Sequence, residues 1–228
     1  AGHLVHVEPG ALGSRPWRLD PVPFVLDGEE FGRLATGVAQ RLRVLEALLA
    51  DAYGERRLVR DGVLPGPVLF GCPGFQLGAA PPSGRGRWIV TYAVDVVRLA
   101  DGSWRVGRDL TDAPSGVGYT LIDRAVLARL LPDVYRAVGA VAIADHAVRL
   151  RRALVAQSPA DRPSPRLVVF TGGLGHPSYV EHSSLASLLG VHLVEGADLV
   201  VRAGRLWLRA LGGLEQVDVV YRRLEDRG

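Results

Sequence analysis

The sequence predicts an α/β fold of the mixed α+β kind, on three observations. Strand-like and helix-like patterns alternate along the 228 residues. Apolar residues recur at three- and four-residue steps from Phe31 to Ala52, the period of an amphipathic helix. Beyond Arg166, a buried-strand run, a glycine-rich turn, a helix and a second strand follow in the order of a β-α-β unit.

Composition bounds the rest. A chain of this length can bury a substantial core without disulfides or metals, and its lone Cys72 has no internal partner, in keeping with a reducing, cytoplasmic setting. No apolar run approaches the roughly 20 residues that cross a bilayer, and the opening AGHLVHVEPGALGSRPW lacks the basic start and long apolar centre of a secretory signal. The expectation is a cytoplasmic protein with no membrane partner. All 27 basic residues are arginine, and lysine, asparagine and methionine are absent. The net charge is only +3, with arginines scattered rather than striped and no recognition motif, so no nucleic-acid partner is expected.

The elements follow in order. Residues 1–26 are rich in proline and glycine and read as an irregular arm. Asp27 reads as an N-cap with Glu29 and Glu30 in the first turn, Phe31, Leu34, Val38, Leu42, Leu45, Leu49 and Ala52 form one helix stripe, and Gly54 stops it. GPVLFGCPGF reads as a short buried strand and a turn. RWIVTYAVDVVRLADGSWRVGRDL reads as two strands around Asp101-Gly102. Their pairing would bring Asp95 and Asp109 near one another, so that both carboxylates could face one ligand. TDAPSGVGY is then a loop, followed by helical patterns to Gln157; SPADRPSP, residues 158–165, reads as a linker. RLVVF, the TGGLGHPS turn, the YVEHSSLASLLG helix and VHLVEG form the β-α-β unit. DLVVRAGRLWLRAL reads as a hairpin around Ala203-Gly204, and QVDVVYRRL as one final strand. The domains expected are 1–157, a helical arm with the hairpin and its loop, and 166–228, the β-α-β and hairpin unit.

Four groups of residues carry candidate chemistry. TGGLGHPS lies between strand and helix, where backbone amides can cradle an anion or simply make a tight turn. His176, Glu181 and His182 place two imidazoles and a carboxylate within seven residues, a zinc set or a polar helix face. Asp95, Asp109, Asp112 and Asp123 offer oxygen ligands for Mg²⁺ or serve as turn and ion-pair residues; Asp95 interrupts a run that reads as buried, where an unpaired carboxylate is costly. Arg222 and Arg223 end the last strand on opposite faces, so one of them can serve a given pocket.

Read together, RPWRLDPVPFVL, QRLRVLEALLADAYG, PGF, YAVDVVRLADGSW, APSGVGYTLIDR, YVEHSSLASLLGVHLVEGADLVV and VDVVYRRLED resemble the circularly permuted ATP-grasp proteins of type 2, relatives of glutathionylspermidine synthase. The resemblance implies a partial circularly permuted ATP-grasp fold with a Rossmann-like β-α-β unit at its C-terminal side, shortened at the C-terminus. It implies ATP and Mg²⁺ as cofactors and a carboxylate-amine ligase, or a portion of one, acting on small-molecule or peptide-like carboxylates and amines. It places Asp95, Asp109 and Asp123 at the metal and Ser115 and Gly116 at the phosphate-facing turn. Glu181, His182, Glu195 and Asp198 fall on the polar ligand-binding positions, and Arg124 and Arg222 on catalytic ones. Family members carry Glu-x-Asn where this chain has Arg108 and Leu110, and Glu-Asn where it has Ile122-Asp123. Two alternatives stand beside the ligase: a degenerate, non-catalytic ATP-grasp-like binding module, which would bind a partner or a ligand without turnover, and a zinc-dependent hydrolase built on His176, Glu181 and His182; a protein partner or a homo-oligomer is a further expectation.

Overall fold

A computed structural model describes residues 4–6, 15–16, 19–20, 22, 24–79, 87–143, 145–159 and 162–224. Trp17, Arg18, Glu225 and Asp226, which belong to the quoted motifs, lie outside the described residues. The mixture of helix and strand is that of an α/β fold. The chain packs as two compact units, one of Leu26–Pro114 and one of Ser115–Leu224 with the described residues up to Val25. Residues 158–165, read above as a linker, fall inside the second unit.

In the first unit, α1 (Gly28–Ala52) starts where Asp27 accepts a hydrogen bond from the Glu30 amide at 2.7 Å, a cap that contributes about 1 kcal/mol. Leu34, Val38, Leu42, Leu45 and Leu49 are half-buried along one stripe and Ala52 is buried, whereas Phe31 stays 60% exposed. Tyr53, at the helix end, is stacked between Trp88 and Phe75 with ring centroids 4.8 and 5.0 Å away. Glu46 holds the same segment by accepting from the Ile89 amide at 2.7 Å. Asp51 caps the short α2 (Arg57–Arg60) by accepting from the amides of Arg57 and Leu58. GPVLF, expected as a strand, is instead α3 (Gly66–Phe70). Proline in a first helical turn gives up an amide that would have no partner anyway, and Val68 is exposed rather than buried.

The hairpin of β3 (Ala93–Arg98) and β4 (Trp104–Leu110) forms as expected around Gly102, whose φ is 82°. Its register is not uniform: Asp95 pairs with Arg108 but Val96 with Val106, so Gly107 is an extra residue in β4. The bulge keeps Trp104, Val106 and Asp109 opposite Arg98, Val96 and Val94, and these pairs share the face that meets α1. There Trp104 donates to Glu30 at 2.7 Å, and Arg98 pairs with the same carboxylate at 3.4 Å.

The second unit begins with a short antiparallel pair, β1 (Leu4–His6) and β2 (Arg15–Pro16), where the sequence suggested only an irregular arm. Helices α4 (Val117–Leu130), α5 (Pro132–Ala137) and α6 (His146–Val155) lead to β5 (Leu167–Phe170). Next come α7 (Tyr179–Leu189), closed by Gly190 at φ 64°, and β6 (His192–Val194). A 3-10 turn (Gly196–Asp198) precedes β7 (Leu199–Arg202), β8 (Arg205–Ala210), β9 (Gly213–Val217) and β10 (Val219–Arg222). The β7–β8 turn, Ala203-Gly204, has both residues at positive φ, the conformation a two-residue hairpin requires.

The stretch QVDVVYRRL, read as one strand, divides between two sheets. Val217 ends β9, the edge of the antiparallel β7-β8-β9 sheet, while β10 joins β5 and β6 in a parallel sheet of order β10-β5-β6. Val168, Val194, Leu208 and Val217 pack as one core linking the two sheets, and fully burying a side chain such as Val168 contributes about 1.5–3 kcal/mol.

Asp218 makes the division. Its fully buried carboxylate accepts from the Arg166 amide at 2.8 Å, forms an ion pair with Arg162 at 3.0 Å and accepts from Gln216. Both arginines flank or belong to the SPADRPSP segment, which is therefore pinned to the sheet. Asp218→Ala is expected to lower the unfolding free energy by about 3 kcal/mol, because it strands buried donors. A urea midpoint shift at constant slope would measure it, and an unchanged midpoint would show that the segment is not pinned.

Candidate functional site

Parallel sheets bind ligands at the carboxyl ends of their strands. At that end of β10-β5-β6 lie Thr171, which follows β5, Glu195, which follows β6, and Arg223, which follows β10, with α7 rising beside them. Thr171, Glu181, His182 and Arg223, each buried as a whole residue, gather here. Concentrating costly groups in one place is a mark of functional sites.

Glu181 organises the cluster. Its Oε1 accepts from the amides of Gly116 at 2.7 Å and Gly118 at 3.1 Å, at the start of α4, where unsatisfied amides and the helix dipole favour an anion. Both glycines are required. Gly116 sits at φ 114°, and a Cβ on Gly118 would lie 2.8 Å from the Glu181 Cγ. The Gly-Val-Gly pattern thus cradles the protein's own carboxylate. Among the described residues, the other oxygen, Oε2, has no hydrogen-bond partner, and it lies 3.8 Å from Arg223 Nη2. Arg223 also donates to the Tyr221 hydroxyl at 3.0 Å.

His182 shares a 2.8 Å hydrogen bond between its Nδ1 and the Thr171 hydroxyl, and its ring lies 4.9 Å from that of His176. Burial, with Arg223 and His176 adding to it, lowers its pKa from 6.5 to about 4, so it is neutral near pH 7. His176 Nδ1 accepts from the Ser178 amide. Gly173, at φ 83°, lies so close to the Glu195 carboxylate that a Cβ would sit 2.8 Å from it. Glu195 and Asp198 form a capping box around the 3-10 turn, in which the Glu195 amide donates to Asp198 at 2.8 Å.

The expected site residues are thus distributed unevenly. Gly116, Glu181, His182 and Glu195 gather at the sheet end, while Ser115 is exposed beside Gly116. Arg222 is exposed, and Arg223 reaches the cluster in its place. Period two supplied the missed signal, because Val219 and Tyr221 are buried and Arg223 continues their face. Thr171 and Gly118 were also missed; nothing local distinguishes them until Glu181 and His182 are packed against them. Arg124 donates to the Val141 carbonyl at 2.5 Å and lies over the Tyr135 ring.

The three expected metal ligands do not form one set. Asp95 is exposed, not buried, and pairs with Arg108 at 2.9 Å. Asp109 is one register step away, on the opposite face, where Arg41 grips it with two hydrogen bonds of 3.0 and 2.5 Å and Tyr92 donates to it. Arg41, with Tyr92, holds the Asp109 pKa at about 2. Asp123 lies in α4, in the other unit. On opposite faces and each held by an arginine, Asp95 and Asp109 do not fit a shared Mg²⁺. His176, Glu181 and His182 do not close as a zinc set either: among the described residues, no group of three metal-ligating side chains is arranged for an ion.

Two measurements test these electrostatics. Because the folded pKa of His182 is depressed, the unfolded state takes up the proton first; its contribution is complete above about pH 6.5 and is lost as pH falls to about 4, by about 3 kcal/mol. Denaturant titrations across that window should show the slope in the wild type and its loss in His182→Asn. In Arg41→Ala, the Asp109 pKa should rise from about 2 toward the ordinary 3.8, with the Tyr92 hydrogen bond still holding it below that value, as followed by carboxyl NMR.

Among the described residues, no helix is long and apolar enough to cross a membrane. Comparison with known proteins adds the relationship. Residues 23–228 match the family described as circularly permuted ATP-grasp type 2. An uncharacterized protein of Mycobacterium tuberculosis is 43% identical over 220 residues, covering 96% of this chain and 24% of the relative. A second from the same organism is 39% identical over 216 residues, 93% of this chain and 39% of the relative. One from Synechocystis is 36% identical over 216 residues, 93% of this chain and 44% of the relative. The chain thus spans less than half the length of these relatives. With the α/β architecture and a family match across nearly all of its length, the chain belongs to the circularly permuted ATP-grasp type 2 family.

Proposed function

We propose that this chain contributes to an ATP-dependent carboxylate-amine ligase. The observation that carries the reading is the buried polar cluster at the carboxyl end of the parallel sheet, tied through Glu181 to the Ser115-Gly116 turn. In such a reaction, a carboxylate oxygen attacks the γ-phosphorus of ATP, ADP leaves, and an amine displaces phosphate from the acyl phosphate. The protein's part is positioning and charge stabilisation. Here the exposed Ser115 hydroxyl would meet phosphate and the sheet-end residues Glu195 and Asp198 would orient a polar substrate; the family resemblance assigns developing negative charge to Arg124 and Arg222, of which Arg222 is exposed beside the buried Arg223. ATP with Mg²⁺ is the general requirement of the family.

A second reading rests on a specific observation. Asp95 and Asp109 are each already neutralised by an arginine, Arg108 and Arg41, as suits a module that binds nucleotide without turnover.

Melting temperature with ATP, Mg²⁺ and both together tests the shared premise. A ligand at 100 times its Kd adds about 2.7 kcal/mol, or roughly 5 to 11 °C for a chain of this size. A shift that needs both ligands is expected. For the ligase itself, ¹⁸O in the carboxyl groups of a mixture of amino acids and dipeptides should pass into inorganic phosphate when the chain is assayed in its full-length natural context. Nucleotide binding with no such transfer selects the module, and no shift at all removes both readings.

A further inference from the structure

We infer that Glu181 is a positioning residue, whose buried carboxylate holds Ser115–Gly118 in the geometry that presents Ser115 to an anionic ligand. The inference deepens the ligase reading and rests on it only for the ligand, a nucleotide phosphate. A carboxylate with no exposure is stable only if its environment repays several kcal/mol of lost hydration. Here that environment consists of the Gly116 and Gly118 amides on Oε1 and the Arg223 guanidinium 3.8 Å from Oε2. The three contacts join the start of α4, the first turn of α7 and the end of β10 at one side chain.

The turn is held from both sides. Glu181 takes the Gly116 N–H, while the Gly116 carbonyl accepts from the Thr120 amide and hydroxyl, each at 2.9 Å. Ser115, the next residue back, stays exposed. Fixing the N–H and the C=O of one residue holds the two peptide units on either side of it and leaves Ser115 little freedom, which is what pre-organisation for a ligand requires. The steric fit repeats the point: Gly118 has no room for a Cβ because the Glu181 side chain fills that space. A residue needed only for packing would not leave a carboxylate oxygen facing an arginine in the interior.

The test uses the full chain. Amide hydrogen exchange is read at Gly116 and Gly118, with Val168 and Val169 in β5 as internal controls, and ATP·Mg²⁺ affinity is measured in parallel. In Glu181→Ala, exchange at the two glycines should accelerate at least about tenfold more than at the β5 controls, and ATP affinity should fall at least about tenfold. Glu181→Gln keeps an oxygen for the amides and should restore both readouts most of the way. Gly118→Ala breaks the same contact from the α4 side, should reproduce the Ala phenotype with Glu181 intact, and substitutes for it if Glu181→Ala does not fold. Unchanged exchange at the glycines, or faster exchange with wild-type ATP affinity, overturns the inference. If the wild type binds no ATP, the ligase reading fails, and selective acceleration rescued by Gln still upholds the positioning of the turn.

Discussion

An ionised carboxylate removed from water needs fixed dipoles and a counter-charge to replace its hydration, and in the Ser115–Leu224 unit that requirement shapes everything around Glu181. The amino end of α4 supplies two amides, β10 supplies Arg223, and α7 places the carboxylate between them. Of these elements, β10 belongs to the parallel sheet, α7 packs on β5 and β6, and α4 packs on α7. β5 is buried along Leu167, Val168 and Val169, and its exit residue Thr171 fixes the ring of His182, the next residue after Glu181 on α7. A neutral His182 is part of the same balance, since a second cation beside Arg223 would have no counter-charge. Burial of the imidazole and burial of the ion pair are therefore one constraint.

The Leu26–Pro114 unit handles its charges differently. Glu30, Asp95 and Asp109 lie at or near the surface of the hairpin, and each is met by arginine. In a chain without lysine, every such partner is a planar fork that can engage a carboxylate through two parallel hydrogen bonds, as Arg41 does with Asp109. A carboxylate held in this way is a poor ligand for a hard cation until the arginine is displaced. The bulge at Gly107 has the same bearing, because it aligns Asp109 with Trp104 and Val106 against α1 and leaves Asp95 on the other face. The two acids that looked like a pair along the sequence belong to different surfaces.

For an ATP-grasp protein, the consequence is a division of labour within this chain. The sheet-end cluster combines buried polar groups, glycines demanded by close approach, and an exposed serine beside a fixed turn. The hairpin has the features of a scaffold whose acids are already satisfied. The relatives are more than twice as long as this chain.

Local chemistry determined much of the fold in advance. Asp27, the apolar stripe of α1, the Asp101-Gly102 and Ala203-Gly204 turns and the β5-α7-β6 order are set by side-chain period, capping and backbone preference, which act over a few residues. What the sequence could not determine by itself depends on partners distant along the chain. Asp218 divides one apparent strand into two because Arg162 and Arg166 come to it from the preceding segment. GPVLF is a helix with Pro67 in its first turn, where the missing amide costs nothing. Alternation along β10 was sufficient in principle to choose Arg223 over Arg222, but the value of that choice lies in Glu181, many residues earlier. Only the tertiary structure brings that carboxylate to the Gly-Val-Gly amides, because a buried charge selects its partners in space rather than in sequence.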